Sequence, residues 1–234
     1  MRRRVRVLYK HTHLLAAART RRRRVNLKAG EKHVDQPLQL NQGLASMRLY
    51  IMRHGPAEDD SPTGRDANRA LTKSGRARVH AVAQSLVDHD EAPLAILSSP
   101  LVRAFQTAQV VAAVIEFAAR ARAGKNSRFS VAMSATSATS SVEMRPELRP
   151  GLDAMGFVSS LVRAERKRVM IVGHEPDLGM LVARLVGESH IEGGLLKAMV
   201  VGIKLTPTTK ASGMGFTSKL RFVLHPKTLA WHRL

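Results

Sequence analysis

Residues 49–59 read LYIMRHGPAED, and the middle of this stretch decides how the chain folds. The apolar run of residues 49–52 ends abruptly at Arg53, His54 and Gly55. A short continuous run of apolar, β-forming residues is typical of a strand that is buried on both faces in a sheet covered by helices. The sequence therefore predicts an interior strand that ends in two basic side chains, and those side chains need an explanation.

Strands and helices alternate from Met47 onward. Apolar residues at strand or helix spacing predict strands at 47–53, 94–99, 168–174, 198–205 and 215–224, and helices at 72–89, from 99 onward, at 152–166 and at 176–187. Polar or aperiodic stretches predict a loop at 55–71, a Ser/Thr-rich loop at 120–142 around one short strand near 129–133, and an extended connection at 146–150. This alternation predicts one α/β domain, a three-layer α/β/α sandwich with a mostly parallel central sheet.

The positive charge of the chain is unevenly distributed. Its formal net charge is +20, and residues 1–46 hold twelve Arg or Lys residues against Glu31 and Asp35. Runs of like charge repel themselves and usually stay disordered. We therefore expect residues 1–46 to be a basic, disordered extension and residues 47–234 to be the folded domain.

The role of this extension stays open between several readings. Lys10, His11 and His13 interrupt its apolar part, which argues against a secretory signal. Its Arg-rich, acid-poor composition is compatible with a transit peptide. Another reading is that Met47 is the functional start of the protein. A further reading is an arm that binds nucleic acid or an anionic membrane, so nucleic acid is expected as a partner only through residues 1–46.

Composition excludes several other classes of protein. The chain has no cysteine, which rules out disulfides, thiolate metal ligands and a cysteine nucleophile and agrees with a cytoplasmic location. Aromatic residues make up only 4%, so platforms for stacking single-stranded bases are few. We expect no membrane span, because no apolar stretch is long enough. Histidines at zinc spacing and a Walker-type loop are also missing from the sequence, so we expect no metal and no cofactor.

Two strands end in the same kind of motif. The first ends at Arg53-His54-Gly55, and the strand at 168–174 ends at Gly173-His174-Glu175. Ligands of open α/β sheets bind beyond the carboxyl ends of the strands, so both histidines are expected at one edge of the sheet.

A third basic group, Arg103, follows the strand at 94–99. Ser99 and Pro100 are suited to the N-cap and first position of the next helix, which places Arg103 in its first turn beside a positive dipole end. Two arginines, two histidines and a helix N-terminus predict a pocket for a small, multiply charged anion. Phosphate is the natural candidate, and an imidazole in such a pocket can also act as a nucleophile.

At this point the sequence resembles a known family. The motifs Arg53-His54-Gly55, SSPLVRAFQTA (98–108) and VGHEPDLG (172–179) are similar to those of the histidine phosphatase superfamily, whose fold is phosphoglycerate mutase-like. The short domain, RALTKSG (69–75) and the Pro-Glu-Leu segment at 146–148 resemble its SixA-like phosphohistidine phosphatase branch. The resemblance covers residues 47–226.

The resemblance implies a role for each residue of the predicted pocket. His54 would be the nucleophile that is transiently phosphorylated, and water would then hydrolyse the phospho-His54 intermediate. Arg53, Arg103 and His174 would hold the phosphoryl oxygens. Gly55 is expected to leave room beside the anion or to satisfy the turn.

Many members of the superfamily protonate the leaving oxygen with a carboxylate. Glu147 is the candidate for this general acid, against the simpler interpretation of a solvated loop residue. The SixA-like branch is expected to manage without a dedicated acid, because the imidazole of a phosphohistidine can already carry its proton.

The sequence thus predicts a cytoplasmic, metal-independent phosphatase that acts on phosphohistidine in a signalling partner protein. One alternative is a small-molecule phosphomonoesterase on the same fold, for which a general acid such as Glu147 would be important. Another is a binding module whose basic extension engages nucleic acid or anionic lipid.

Overall fold

The structure is a computed structural model that describes residues 45–126, 142–187, 193–208 and 214–233. Most of the basic extension and the short strand expected near 129–133 lie outside the described residues. The described segments all belong to the unit formed by residues 41–234.

Seven strands within the described ranges form one sheet in the order β3-β2-β4-β1-β5-β6-β7. They are β1 Met47–Arg53, β2 Ala95–Ser98, β3 Val142–Met144, β4 Arg168–Gly173, β5 Val200–Pro207, β6 Phe216–Leu224 and β7 Trp231–Arg233. The sheet is mixed: β3, β2, β4 and β1 are parallel, whereas β5, β6 and β7 continue it in antiparallel fashion. The parallel half supplies the strand ends at which the candidate residues lie.

Helices cover both faces of this sheet, as the sequence predicts. They are α1 Lys73–Asp88, α2 Val102–Asn126, α3 Ala154–Arg163 and α4 Asp177–Val186. Side chains of β1 alternate between the two faces: Tyr50 and Met52 pack with α1 and α2, whereas Leu49 and Ile51 pack with α3 and α4. The three-layer α/β/α architecture is thereby confirmed.

The helix α2 differs from its prediction at both ends. It begins at Val102 rather than at Pro100, because the carbonyl of Leu101 accepts the first helical hydrogen bonds, from the N–H groups of Ala104 and Phe105. It also continues to Asn126, past residue 120, where the predicted loop begins. The apolar periodicity is lost at residue 120, but alanine and arginine favour a helix even without such periodicity. The prediction that the helix ends there was therefore wrong.

The segment Val102–Ala123 of α2 is long and apolar enough to cross a membrane by length and composition alone, which the sequence reading did not anticipate. Ala104, Ala108 and Val111 of this segment are buried against the sheet. One side of α2 thus packs on the sheet, whereas Phe117 on the same segment is exposed.

Some short elements were not predicted from the sequence. The strands β3 and β7 have three residues each, too few for a periodic signal. The predicted loop at 55–71 contains a 3₁₀ turn at Asp66–Asn68, and the extended connection at 146–150 contains another at Pro146–Leu148.

Candidate active site

The pairing of β1 with β4 brings the two strand-end histidines together. Arg53 lies opposite Gly173 in this parallel pair, and the N–H of His54 donates to the Gly173 carbonyl at 3.0 Å. The imidazole rings of His54 and His174 are 5.1 Å apart between centroids and are only 7% and 3% exposed. The predicted meeting of the two motifs at one sheet edge is therefore found.

Two neighbours fix the protonation of His54. Its Nδ1 lies 2.7 Å from the carbonyl oxygen of Gly55, which can only accept, so Nδ1 carries the proton. Its Nε2 accepts a hydrogen bond from Nε of Arg103 at 3.3 Å and therefore keeps its lone pair on the side of the arginine. Burial lowers the pKa of His54 to about 4, and the nearby charges of Arg103 and Arg53 also lower it. The imidazole is consequently neutral near pH 7.

Arg103 is held in place by a residue that sequence reasoning missed. Its Nη1 donates to the backbone carbonyl of Asp66 at 2.9 Å, and its Nη2 donates to the Asp66 carboxylate at 3.1 Å. The same carboxylate accepts from Nε of Arg69 at 2.8 Å. Arg103 itself is 6% exposed. Asp66 thus orients the guanidinium so that its Nε points at His54.

Arg53 is oriented by the chain that leads into β5. Its Nη1 donates to the Leu195 carbonyl at 2.7 Å, and the N–H of Leu195 donates to the Glu175 carboxylate at 2.8 Å. The Nε of Arg53 is buried and has no hydrogen-bond partner within the described segments. An unpaired buried donor is costly, which makes this N–H a candidate contact for an anion.

Ser99 is the hydrogen-bond partner of one ring nitrogen of His174. Its hydroxyl oxygen accepts from the N–H of Leu101 at 3.3 Å and lies 2.9 Å from Nε2 of His174. The hydroxyl keeps its proton and one further lone pair, and when it donates to Nε2 the imidazole proton lies on Nδ1. This Nδ1 is buried and lacks a hydrogen-bond partner in the described part of the chain. Burial, together with the charges of His54 and Arg103, lowers the pKa of His174 to about 3.

The structure shows close packing around Gly55. Its N–H already donates to Oγ1 of Thr107 at 3.0 Å, and this hydroxyl in turn donates to the Arg103 carbonyl at 2.7 Å. A Cβ atom at position 55 would lie 2.7 Å from Cγ2 of Val79 and 3.2 Å from Cδ2 of Leu71. Its φ is not positive, so the turn does not demand glycine. Close packing of the strand end against α1 requires it.

Glu147 stands apart from these contacts. It is exposed on the 3₁₀ turn at Pro146–Leu148, and the hydrogen bonds of Arg53, His54, Arg103 and His174 within the described residues do not involve it. The structure therefore joins four of the predicted residues and Gly55 at one sheet edge, and the hydrogen bonds of the four within the described residues leave out Glu147.

The residues that support the site were not equally predictable from the sequence. Thr107 lies one helical turn after Arg103, at a spacing that places both on one face of α2. Asp66 and Glu175 bond to partners 37 and 20 residues away, and no local pattern predicts such a contact. Among the described residues, His, Asp and Glu side chains form no group of three that could hold a metal ion.

The arrangement offers one unprotonated imidazole nitrogen surrounded by donors. The Nε of Arg53 carries an N–H group without a partner in the described residues, and Nδ1 of His174 offers another in the tautomer described above. The Nε of Arg103 donates to Nε2 of His54 and can turn this N–H to an oxygen of a bound tetrahedral oxyanion. Such a site can bind a phosphoryl group and allow in-line attack by Nε2 of His54.

Comparisons with known proteins agree with this geometry. Residues 49–124 match the family model described as the histidine phosphatase superfamily (branch 1). An uncharacterized protein from Picosynechococcus is 31% identical over 166 residues, which cover 68% of this chain and 85% of that protein.

Solved structures of SixA proteins share the fold. The SixA structure from Agrobacterium tumefaciens superimposes with a TM-score of 0.56 at 22% identity, covering 77% of this chain and 98% of that one. The protein histidine phosphatase SixA complexed with tungstate gives a TM-score of 0.56 at 24% identity, with coverages of 79% and 100%.

Proposed function

The chain belongs to the histidine phosphatase superfamily, and from that premise we propose that it removes phosphate from phosphohistidine on a partner protein. The observation that carries the proposal is the protonation of His54. Its Nδ1 proton is held by the Gly55 carbonyl, and its unprotonated Nε2 accepts a hydrogen bond from the cationic side chain of Arg103. A neutral imidazole with an oriented lone pair is ready to attack phosphorus.

The proposed reaction has two steps. Nε2 of His54 attacks the phosphorus atom, the P–N bond of the substrate breaks, and the substrate imidazole leaves with the electron pair of that bond. Water then attacks the phosphorus of phospho-His54. A P–O bond forms, the P–Nε2 bond breaks with its electron pair returning to Nε2, and the attacking water loses a proton to the solvent as inorganic phosphate is released. Arg53, Arg103 and His174 would stabilise the charge on the three equatorial oxygens in both steps. No metal takes part in this scheme.

The choice of phosphohistidine rests on the leaving group. An imidazole that is protonated before cleavage departs without a general acid, whereas an alkoxide needs one. The contacts of the four central residues within the described segments include no carboxylic acid aimed at a leaving group, and Asp66 is occupied by two arginines. A neighbour with the same fold is a protein histidine phosphatase, and its structure was solved in complex with the oxyanion tungstate.

The test compares two substrates in the presence of EDTA. We expect faster hydrolysis of a phosphohistidine-bearing protein than of an aryl phosphate ester, with unchanged rates after metal chelation. His54→Ala should abolish both turnover and covalent uptake of labelled phosphate, whereas the control His80→Ala, an exposed histidine on α1, should retain both. Preference for the ester would favour the phosphomonoesterase, and full activity of His54→Ala would overturn the mechanism.

Residues 1–46 are dispensable in this proposal. The four central residues all lie within residues 53–174, and the absence of cysteine agrees with the proposed cytoplasmic location. Deletion of residues 1–46 should leave the phosphatase rate unchanged. A protein whose function is binding through the basic extension would instead lose its salt-dependent affinity on this deletion.

A further inference from the structure

A row of cationic side chains crosses the sheet at the edge opposite the active site. Arg48 lies directly opposite Arg168 on one neighbouring strand and opposite Lys204 on the other. Lys204 in turn lies opposite Lys219 of β6. Four adjacent strands therefore place four positive charges at one register, and the row spans about 14 Å at the usual strand spacing of about 4.8 Å.

This row is unfavourable for the fold itself. Like charges directly opposite each other on paired strands destabilise a sheet. Glu91 compensates part of the charge, since it accepts two hydrogen bonds from Arg221 and lies 3.6 Å from Arg48. Lys204 and Lys219 are exposed, and neither has an ion-pair partner among the residues that the structure describes. One carboxylate therefore faces a much larger positive charge.

The row borders two adjoining clefts that share Lys204 and Arg221. The larger, of about 580 Å³, is lined by Ala45, Ser46, Arg48, Lys167, Arg168, Lys204 and Arg221, and the smaller, of about 340 Å³, adds Lys219 and Arg233. The Nε of Arg168 is buried without a hydrogen-bond partner in the described segments. The clefts thus contain both unneutralised charge and an unused donor.

We propose that this basic groove binds the phosphodiester backbone of a nucleic acid, as a site separate from the phosphatase centre. Guanidinium forks such as those of Arg48 and Arg168 match phosphate oxygens. The lining of the larger cleft is mostly cationic, whereas the centre of a protein interface is apolar and depleted of charge. The row lies on several strands rather than converging on one point, which suits a chain of phosphates better than a single small anion.

The sequence of the extension strengthens the case for this partner. Ser46 lines the groove and is the last residue of the extension, which contains twelve Arg and Lys residues. Recognition would be independent of base sequence, because neither cleft is lined by an exposed aromatic side chain on which a base could stack.

The test uses the full chain, so that the extension is the same in every variant. We would measure binding of a fluorescent single-stranded DNA of mixed sequence as a function of salt. The double variant Lys204→Gln/Lys219→Gln is compared with Arg163→Gln/Arg184→Gln, which removes two exposed cations from the last turns of α3 and α4, on the other face of the sheet. Loss of two phosphate contacts with a single strand should make the log–log salt slope shallower by about 1.4 and weaken binding by about tenfold or more, while the control changes little.

The phosphatase rate and the melting temperature show that both variants are folded, and neither should fall for the groove variant. Equal binding losses in the two double variants would overturn the proposal, because general electrostatics or the extension would then explain the affinity. Competition experiments give a second way to overturn the proposal. If poly-glutamate or vesicles of anionic lipid displace the labelled DNA as well as unlabelled DNA does, the groove does not distinguish a chain of phosphates from other polyanions.

Discussion

The hydroxyl of Ser99 lies 2.9 Å from Nε2 of His174 and connects the end of β2 to the end of β4. The N–H of Leu101 occupies a lone pair of this hydroxyl, so its proton is available to the imidazole. When the hydroxyl donates to Nε2, His174 carries its own proton on Nδ1, where no described residue competes for it. We expect this serine, which sequence reasoning takes for a helix cap, to favour the tautomer in which neutral His174 donates from Nδ1 to a bound oxyanion.

Ser99→Ala tests this relationship. Without the hydroxyl, Nε2 of His174 is an unsatisfied buried atom and the imidazole can adopt either tautomer. We expect kcat to fall about tenfold, the equivalent of about 1.4 kcal/mol and within the range for a lost hydrogen bond, with little change in KM. The matched control is Ser98→Ala, which removes an equally buried hydroxyl bonded only to the Ser99 carbonyl. Equal kcat in the two variants would show that Ser99 does not position His174.

The centre of the site could be predicted from the sequence because strand ends and a helix start are local features. His54, His174 and Arg103 each follow a strand directly or within one helical turn, and a parallel sheet must bring such positions to one edge. Asp66 could not be predicted in this way, because its carboxylate acts only through the folded position of Arg103. The reason for Gly55 was missed for a related cause, since the packing of Val79 against it exists only after α1 docks on the sheet.

The fold, like the site, was predictable where it depends on local sequence. Long periodic elements such as α1 and β4 follow from their own sequences, and the side chain of Thr72 caps α1 by accepting from the N–H of Gly75 at 2.8 Å. The edge strands β3 and β7 depend on pairing with β2 and β6. Such short strands gain their stability from the sheet rather than from their own sequence.

The lowered pKa of His54 gives a prediction for the pH dependence. The folded protein protonates Nε2 only as the pH falls through about 4, whereas an ordinary histidine does so near 6.5. We therefore expect kcat/KM for phosphohistidine to stay level from neutral pH down to about pH 5 and to fall below that as the nucleophile is protonated. Rates corrected for spontaneous hydrolysis, together with an NMR titration of His54, measure it. A midpoint near 6.5 in both experiments would contradict the environment described for His54.

Asp66 is expected to act as a positioning residue for Arg103. Asp66→Ala removes the carboxylate that holds Nη2 but leaves the backbone carbonyl that holds Nη1. The carboxylate is well exposed, so we expect a moderate loss of about five- to tenfold in kcat, in keeping with a partly screened charge-assisted hydrogen bond. The matched control is Asp59→Ala, an exposed carboxylate in the same loop. A loss of the same size in both variants would point to a general charge effect instead.

Gly55→Ala separates a packing role from a role in anion binding. The added methyl group meets Val79 and Leu71, and overpacking of this kind should lower the free energy of unfolding by about 1–3 kcal/mol. Chemical denaturation of the single variants Gly55→Ala and Val79→Ala and of the double variant measures the coupling. Because Val79→Ala makes room for the new methyl group, the double variant should be more stable than the sum of the single effects predicts. Unchanged stability with a raised KM would restore the reading that glycine leaves room for the anion.

Glu147→Gln decides whether the reaction uses a carboxylic acid. Glu147 is exposed on its 3₁₀ turn and bonds to none of the central residues, so we expect the rate with phosphohistidine to stay within about twofold of the parent, since a lost general acid costs about a hundredfold or more. The matched control is Glu165→Gln, an exposed glutamate in the turn after α3. Because an imidazole leaving group can bring its own proton and an ester oxygen cannot, the comparison must be repeated with the aryl phosphate. A hundredfold loss on the ester alone would make Glu147 the general acid of a phosphomonoesterase. A similar loss on phosphohistidine would contradict the proposal that the imidazole departs without a general acid.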